Sequence, residues 1–177
     1  MFYYIAEANE HLCVTGFMIP DVYICKKTIL YPGQRLRRIQ MNPINYTLDV
    51  AAMTVEKLEF LLPCTFNVGI KDDAESILKY AKLLGHTTSS ALTELVAGII
   101  HGETRLIAAQ MHVEEIFSNR QKFKENIMEH IGSELEHFGL MIYNSNIKDL
   151  RDVEGSEYFS YLSMKSREGA INQVLLQ

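Results

Sequence analysis

Between Leu58 and Ile70 every even-numbered residue is apolar: Leu58, Phe60, Leu62, Cys64, Phe66, Val68 and Ile70. A repeat of two gives an extended chain one apolar face and gives a helix none, so this segment must be a strand lying on a core. The segment before it has the same period, with Tyr46, Leu48, Val50 and Ala52 alternating with Thr47, Asp49 and Ala51. Thr54–Lys57 is short enough to join the two as an antiparallel hairpin. Pro63 cannot donate to a sheet ladder, which predicts an edge strand or a bulge there. Four earlier segments, Phe2–Ala8, His11–Thr15, Val22–Lys27 and Arg35–Met41, are punctuated by Gly16, Pro20 and Pro32-Gly33 and fit further strands.

From Asp72 the period changes to that of a helix. Ile77, Leu78, Ala81 and Leu84 mark a short helix closed by Gly85. Ser89 or Ser90 is suited to cap the next, which carries Leu92, Leu95, Val96, Ile99 and Ile100 on one face. The spacing of Ile116, Phe117, Phe123, Ile127, Ile131, Leu135 and Phe138 predicts a third helix over Val113–Phe138, close to 40 Å long at ~1.5 Å per residue. Gly139 ends it, and Leu140–Ile147 returns to strand. Ser156–Gln177 reads as a final helix with an irregular apolar stripe. Strands, then helices, then one strand make an α+β fold: a mostly antiparallel sheet packed with helices.

With 177 residues, 47% of them hydrophobic, the chain makes one domain with a remainder, and its core needs neither disulfides nor structural metal. A net charge of −5 argues against a nucleic-acid partner, since phosphate binding needs a basic face. Cys13, Cys25 and Cys64 are odd in number and lack CxxC spacing, which fits a reducing compartment. Stretches without a charged side chain, counting His as neutral, reach eleven residues at most, as in Phe60–Ile70 and Leu83–Thr93, against the ~20 apolar residues of a spanning helix. The first basic residue is Lys26, so no signal-peptide n-region is expected. No phosphate-cradling loop, nucleophile elbow or metalloprotease motif occurs, and no cofactor is expected. Glu134-x-x-His137, with His130 one turn earlier, has metal-ligand spacing, but a carboxylate-bridged site needs a second such pair, and a solvated charged face is the better account. His101 and His112 have no companion ligands. Asn45-Tyr46-Thr47 is a glycosylation sequon that a chain without a secretory signal would not use.

Two features remain. Lys26, Lys27, Arg35, Arg37 and Arg38 lie between Val22 and Leu48 with no acidic residue among them. They suit contact with anionic lipid, at up to ~1 kcal/mol per residue, or equally the protection of a sheet edge. The second is bulky apolar sequence near the start: Phe2, Tyr3 and Tyr4, then Phe17, Met18 and Ile19 where a turn is expected. An apolar turn suits shallow membrane insertion, and folding back onto the core is the alternative. Cys25, directly before Lys26-Lys27, and Cys13 are candidates for S-acylation, whereas Cys64 reads as a buried thiol. Position 2 is not Gly, which excludes N-myristoylation.

His101–Phe123 reads His-Gly-Glu-Thr-Arg, then Met-His-Val-Glu-Glu-Ile, then Arg-Gln-Lys-Phe. It resembles the flotillin signature of Glu-Gly-x-x-Arg, Met-Thr-Val-Glu-Glu-Ile and Arg-x-x-Phe. The likeness extends through Pro43–Thr47, Ala52–Leu58, Phe138–Asn144 and Glu157–Leu162, and is greatest to plant and fungal flotillin-like members. The resemblance implies an SPFH (band-seven, prohibitin-homology) domain over residues 1–155, with 156–177 opening a coiled coil that is cut short. It further implies a non-enzymatic scaffold, peripheral to sterol-rich or anionic microdomains and caveolae on the cytosolic face of the plasma membrane and to endosomes. Such a scaffold would oligomerise with flotillin-like chains and serve endocytosis and signalling. Leu36 stands where many plant relatives carry a lipidated Cys after a Pro-x-Gln turn, so acylation would move to Cys13 or Cys25, or apolar side chains would replace it. His101 and His112 stand where the family often has Glu and Thr. A soluble adaptor without lipid contact is the alternative function, and an enzyme using Glu134 and His137 a more distant one.

Overall fold

The computed structural model describes residues 2–148 and 150–152, together with Met164. Its strands are β1 (Phe2–Ile5), β2 (Glu10–Gly16), β3 (Ile19–Cys25), β4 (Lys27–Leu30), β5 (Gln34–Gln40), β6 (Ile44–Met53), β7 (Glu59–Ile70), β8 (Leu140–Ile147) and β9 (Arg151–Asp152). Four helices, α1 (Ala74–Leu83), α2 (Ser89–Ala108), α3 (Val113–Ser118) and α4 (Arg120–Glu136), lie between β7 and β8. All the strand pairs are antiparallel. They form a β1–β4 ribbon, a sheet in the order β3-β2-β5, and a sheet in the order β6-β7-β8 with β9 beside β7. The architecture is the expected α+β one.

The hairpin expected from alternation is β6–β7, in register from Ile44↔Val68 to Met53↔Glu59. Phe60, Leu62, Cys64, Phe66, Val68 and Ile70 are all buried, as their period requires, beneath Val96 and Ile100 of α2 and Ile127 and Ile131 of α4. Pro63, however, sits in a central strand rather than at an edge. Its carbonyl accepts from Lys148 N at 2.9 Å, so its donor-less nitrogen points the same way, into the break between β8 and β9. A proline fits a central strand here because its neighbour strand is interrupted at that point.

The central strand of the smaller sheet, β2, is buried on both faces. Cys13 of β2 belongs to the main core, while its neighbours Leu12 and Val14 are equally buried yet outside that cluster. Period two turns them to the opposite face of the sheet. β4 has no counterpart in the sequence reading, because four residues following Lys26 are too short for periodicity to register.

Two helix boundaries differ from expectation. Thr88, not Ser89 or Ser90, caps α2, its hydroxyl accepting from Ala91 N at 3.4 Å. The long third helix is two helices, broken at Asn119 (φ −132°, ψ 52°). Ser118 and Asn119 are both weak helix formers whose side chains compete for the backbone, and the apolar stripe hides this because it continues through the break. Within α4, Phe123, Ile127, Ile131 and Leu135 are buried at a spacing of four, as expected. The helix expected over Ser156–Gln177 lies outside the described residues apart from Met164.

Candidate functional site

The turn between β2 and β3 is only Phe17-Met18, since Gly16 pairs with Ile19. Gly16 adopts φ 116°, and a Cβ there would stand 2.5 Å from the Gly33 carbonyl oxygen, so only glycine allows the approach. Met18 adopts φ 63°, a left-handed conformation that a methionine takes up at a cost of about 1–2 kcal/mol. Instead of folding back, Phe17 is 67% and Met18 86% exposed, while Ile19 is half-buried.

A second turn docks onto this one. Phe17 N donates to Gly33 O at 3.2 Å, and Gln34 Nε2 donates to Phe17 O at 3.0 Å. Gln34 Oε1 accepts from Tyr31 N at 3.1 Å, which ties the β4–β5 loop to itself. Pairing of Phe2 with Leu30 brings the start of β1 to the same end. Phe2, Phe17, Met18 and Tyr31 thus gather from three stretches of chain into one exposed apolar rim. Tyr3, Ile5 and Ile29 continue it along the outer face of the ribbon, and Tyr4, on the inner face, is half-buried. Tyr31, Ile5 and Ile29 were not singled out from the sequence. Tyr31, directly before Pro32-Gly33, is the one with a readable signal, a bulky aromatic at a turn.

The five basic residues do not form one patch. Arg35 pairs with Thr15 beside the rim, and Arg37 follows two residues along the same face. Arg38 points to the other face, where Glu10 holds it at 3.5 Å. Lys26 donates to Ala8 O at 2.8 Å, and Lys27 pairs with Ile5. Both lie at the far end of β3 and β4, six strand steps or about 20 Å from Ile19. Cys25 is there too, half-buried, paired with Leu12 and with its thiol raised by burial. Cys13 is 5% exposed and its thiol is likewise raised by burial, with Arg37 opposing; an acyl donor reaches it only after a strand opens. Cys64 is buried, its thiol pushed up to about 11 by desolvation.

The histidine positions resolve differently. His112 is exposed, but its Nδ1 lies 3.0 Å from Glu56 Oε1, and Glu56 Oε2 accepts from Val113 N at 3.1 Å. These contacts hold Glu56 below the usual carboxylate range. With Val55 N donating to Met111 O at 3.3 Å, they fasten the β6–β7 turn to the start of α3. Two of the motif segments, Ala52–Leu58 and His101–Phe123, therefore meet in space. His130 faces Glu103 of α2 at 3.8 Å, while Glu134 and His137 are exposed. No group of three His, Cys, Asp or Glu side chains among the described residues is placed to hold a metal ion.

No helix among the described residues is long and apolar enough to cross a membrane. The SPFH domain / Band 7 family profile matches residues 15–177. The chain is 48% identical to Flotillin-like protein 6 of Medicago truncatula over 174 residues, 97% of this chain and 37% of that protein. It is 44% identical to Flotillin-like protein 2 of Arabidopsis thaliana over 172 residues, 96% of this chain and 37% of that protein. The chain spans little more than a third of the length of these relatives.

Proposed function

The chain belongs to the SPFH domain / Band 7 family, with flotillin-like proteins among its relatives, and on that premise we propose that it is the membrane-facing domain of a non-enzymatic, flotillin-type scaffold. The domain attaches peripherally to the cytosolic face of plasma-membrane microdomains and endosomes and oligomerises with flotillin-like chains. In that setting it serves endocytosis and signalling. The observation that carries this reading is the rim: Met18 is held in a strained backbone conformation and left 86% exposed. A turn selected for stability alone would have Gly or Asn at that position.

The rim sets the strength of attachment. Inserting Phe2, Phe17 and Met18 at roughly 1–2 kcal/mol each gives about 3–6 kcal/mol, similar to a single myristoyl chain and reversible on its own. Oligomerisation multiplies such weak contacts into stable attachment. An acyl chain on Cys25 would add to this from the other end of β3, so the rim and Cys25 are separate anchors rather than parts of one.

Vesicle flotation of the 177-residue chain tests the reading. Weak, measurable flotation is expected, falling at least about fivefold in Met18→Gly while that variant melts higher by about 1 kcal/mol of added stability. Unchanged flotation in Met18→Gly and in Phe17→Ser, combined with loss in Lys26→Glu/Lys27→Glu, would move the contact to the opposite end. Recruitment unaffected by any of these changes would favour the soluble adaptor.

A further inference from the structure

The face of β5 that turns toward α1 carries Arg35 and Arg37, opposite Thr15 and Cys13 of β2. With Lys82 and His86, from the end of α1 and just beyond it, they line a cleft of about 510 Å³. Arg37 stands close enough to both the Cys13 thiol and the Tyr80 hydroxyl to oppose the effect of burial on each. Lys82 is held by Asp21, and Arg38, on the other face, by Glu10. Among the described residues, no acidic side chain forms an ion pair with Arg35 or Arg37. Once Lys82 and Asp21 cancel, the cleft keeps two uncompensated guanidinium charges.

We propose that this cleft is a binding site for a phosphate monoester, held between Arg35 and Arg37 with His86 at its margin. Guanidinium forks match phosphate oxygens in shape and make bidentate contacts that lysine cannot. Residues two apart on one strand face are about 7 Å apart at Cα, near enough for both forks to reach a single tetrahedral anion. Two positive charges match a monoester dianion better than the single charge of a diester or a carboxylate.

The position of the cleft indicates where such a phosphate comes from. Arg35 is one pair and Arg37 three pairs beyond Gly16↔Gln34 at the base of the rim, or about 3–10 Å. The polar headgroup layer of one leaflet is roughly 5–8 Å deep. With the rim in the hydrocarbon, the cleft therefore stands at headgroup depth, which favours a lipid source. That source, though not the site itself, rests on the membrane-facing reading above.

The test has a vesicle arm and a soluble arm, both using the 177-residue chain. Vesicles containing phosphatidic acid are compared with phosphatidylserine vesicles matched in surface potential, and inorganic phosphate is titrated in solution while backbone amide resonances are followed. At least a fivefold preference for phosphatidic acid is expected, with phosphate-dependent shifts at positions 35, 37 and 86. Arg35→Gln/Arg37→Gln should abolish both while leaving residual phosphatidylserine binding. Arg35→Gln alone, at an exposed position, should weaken both if the double variant is poorly folded. Phosphate shifts without a lipid preference would support the site and assign it a soluble phosphorylated ligand. Absence of vesicle binding by the parent chain, with the phosphate shifts intact, would remove the membrane reading and leave the site standing. Equal binding to both vesicle types with no phosphate shifts would overturn the proposal.

Discussion

Glu56 illustrates what one side chain does here. It bridges the His112 ring and the Val113 backbone N–H, and the contacts depress its carboxyl pKa. A carboxyl with a depressed folded value contributes stability in full above its unfolded value of about 4.3, and loses it as pH falls through the folded value. Glu56→Gln should therefore melt below the parent at pH 7, with the two curves converging well under pH 4. A difference that persists at low pH would assign the effect to packing instead. The pairing was not legible from sequence, because Glu56 and His112 are 56 residues apart and neither sits in a periodic segment. Met18 was partly legible: an apolar residue at an expected turn is visible in the sequence, its left-handed backbone is not.

At the scale of elements, the cap of α2 separates pattern from geometry. Thr88, Ser89 and Ser90 are all good cap residues, and sequence cannot rank neighbours that differ by one position. The backbone decides: Thr88 is extended (φ −71°, ψ 155°), and Ser89 is already helical. Thr88→Ala should cost about 1 kcal/mol, or about 2–4 °C in Tm, and Ser89→Ala far less, as read by thermal melts. Equal effects would show that the cap is shared. The strands and helices with long periodic faces, β6, β7, α2, α4 and β8, were all legible, since burial of one face is what their sequences encode. What escaped was set by neighbours rather than by pattern: the four-residue β4, the break at Asn119, and Pro63 in a central strand. The site divided in the same way. Phe2, Tyr3, Phe17 and Met18 were found as exposed apolar residues, whereas the separation of Arg35 and Arg37 from Lys26 and Lys27 depends on strand pairing, which composition cannot supply.

For the molecule as a whole, the three thiols sit at two depths and in two sheets, and report on it separately. Cys25 is half-buried, whereas Cys13 and Cys64 are both buried in the main core, Cys13 from the β3-β2-β5 sheet and Cys64 from β7 with its thiol at about 11. Maleimide labelling of the native chain should modify Cys25 first, with Cys13 and Cys64 slower by at least about a hundredfold, since thiolate formation and access both require local opening. If Cys13 reacts ahead of Cys64, the smaller sheet opens independently of the larger one. Equal rates at Cys25 and Cys64 would contradict the burial of Cys64.

The order of strands in the larger sheet also has a consequence in time. β6 and β7 are adjacent in the chain and can close as a hairpin as soon as both have left the ribosome, but β8 begins about 70 residues after β7 ends. At about 5–20 residues per second, synthesis leaves the second edge of β7 open for roughly 4–14 s, until β8 arrives to cover it. That edge belongs to the strand that buries the most apolar side chains among the described residues. During those seconds the nascent chain depends on α1, α2 and α4 folding over the exposed face, or on a chaperone, to keep neighbouring copies on a polysome from pairing there instead.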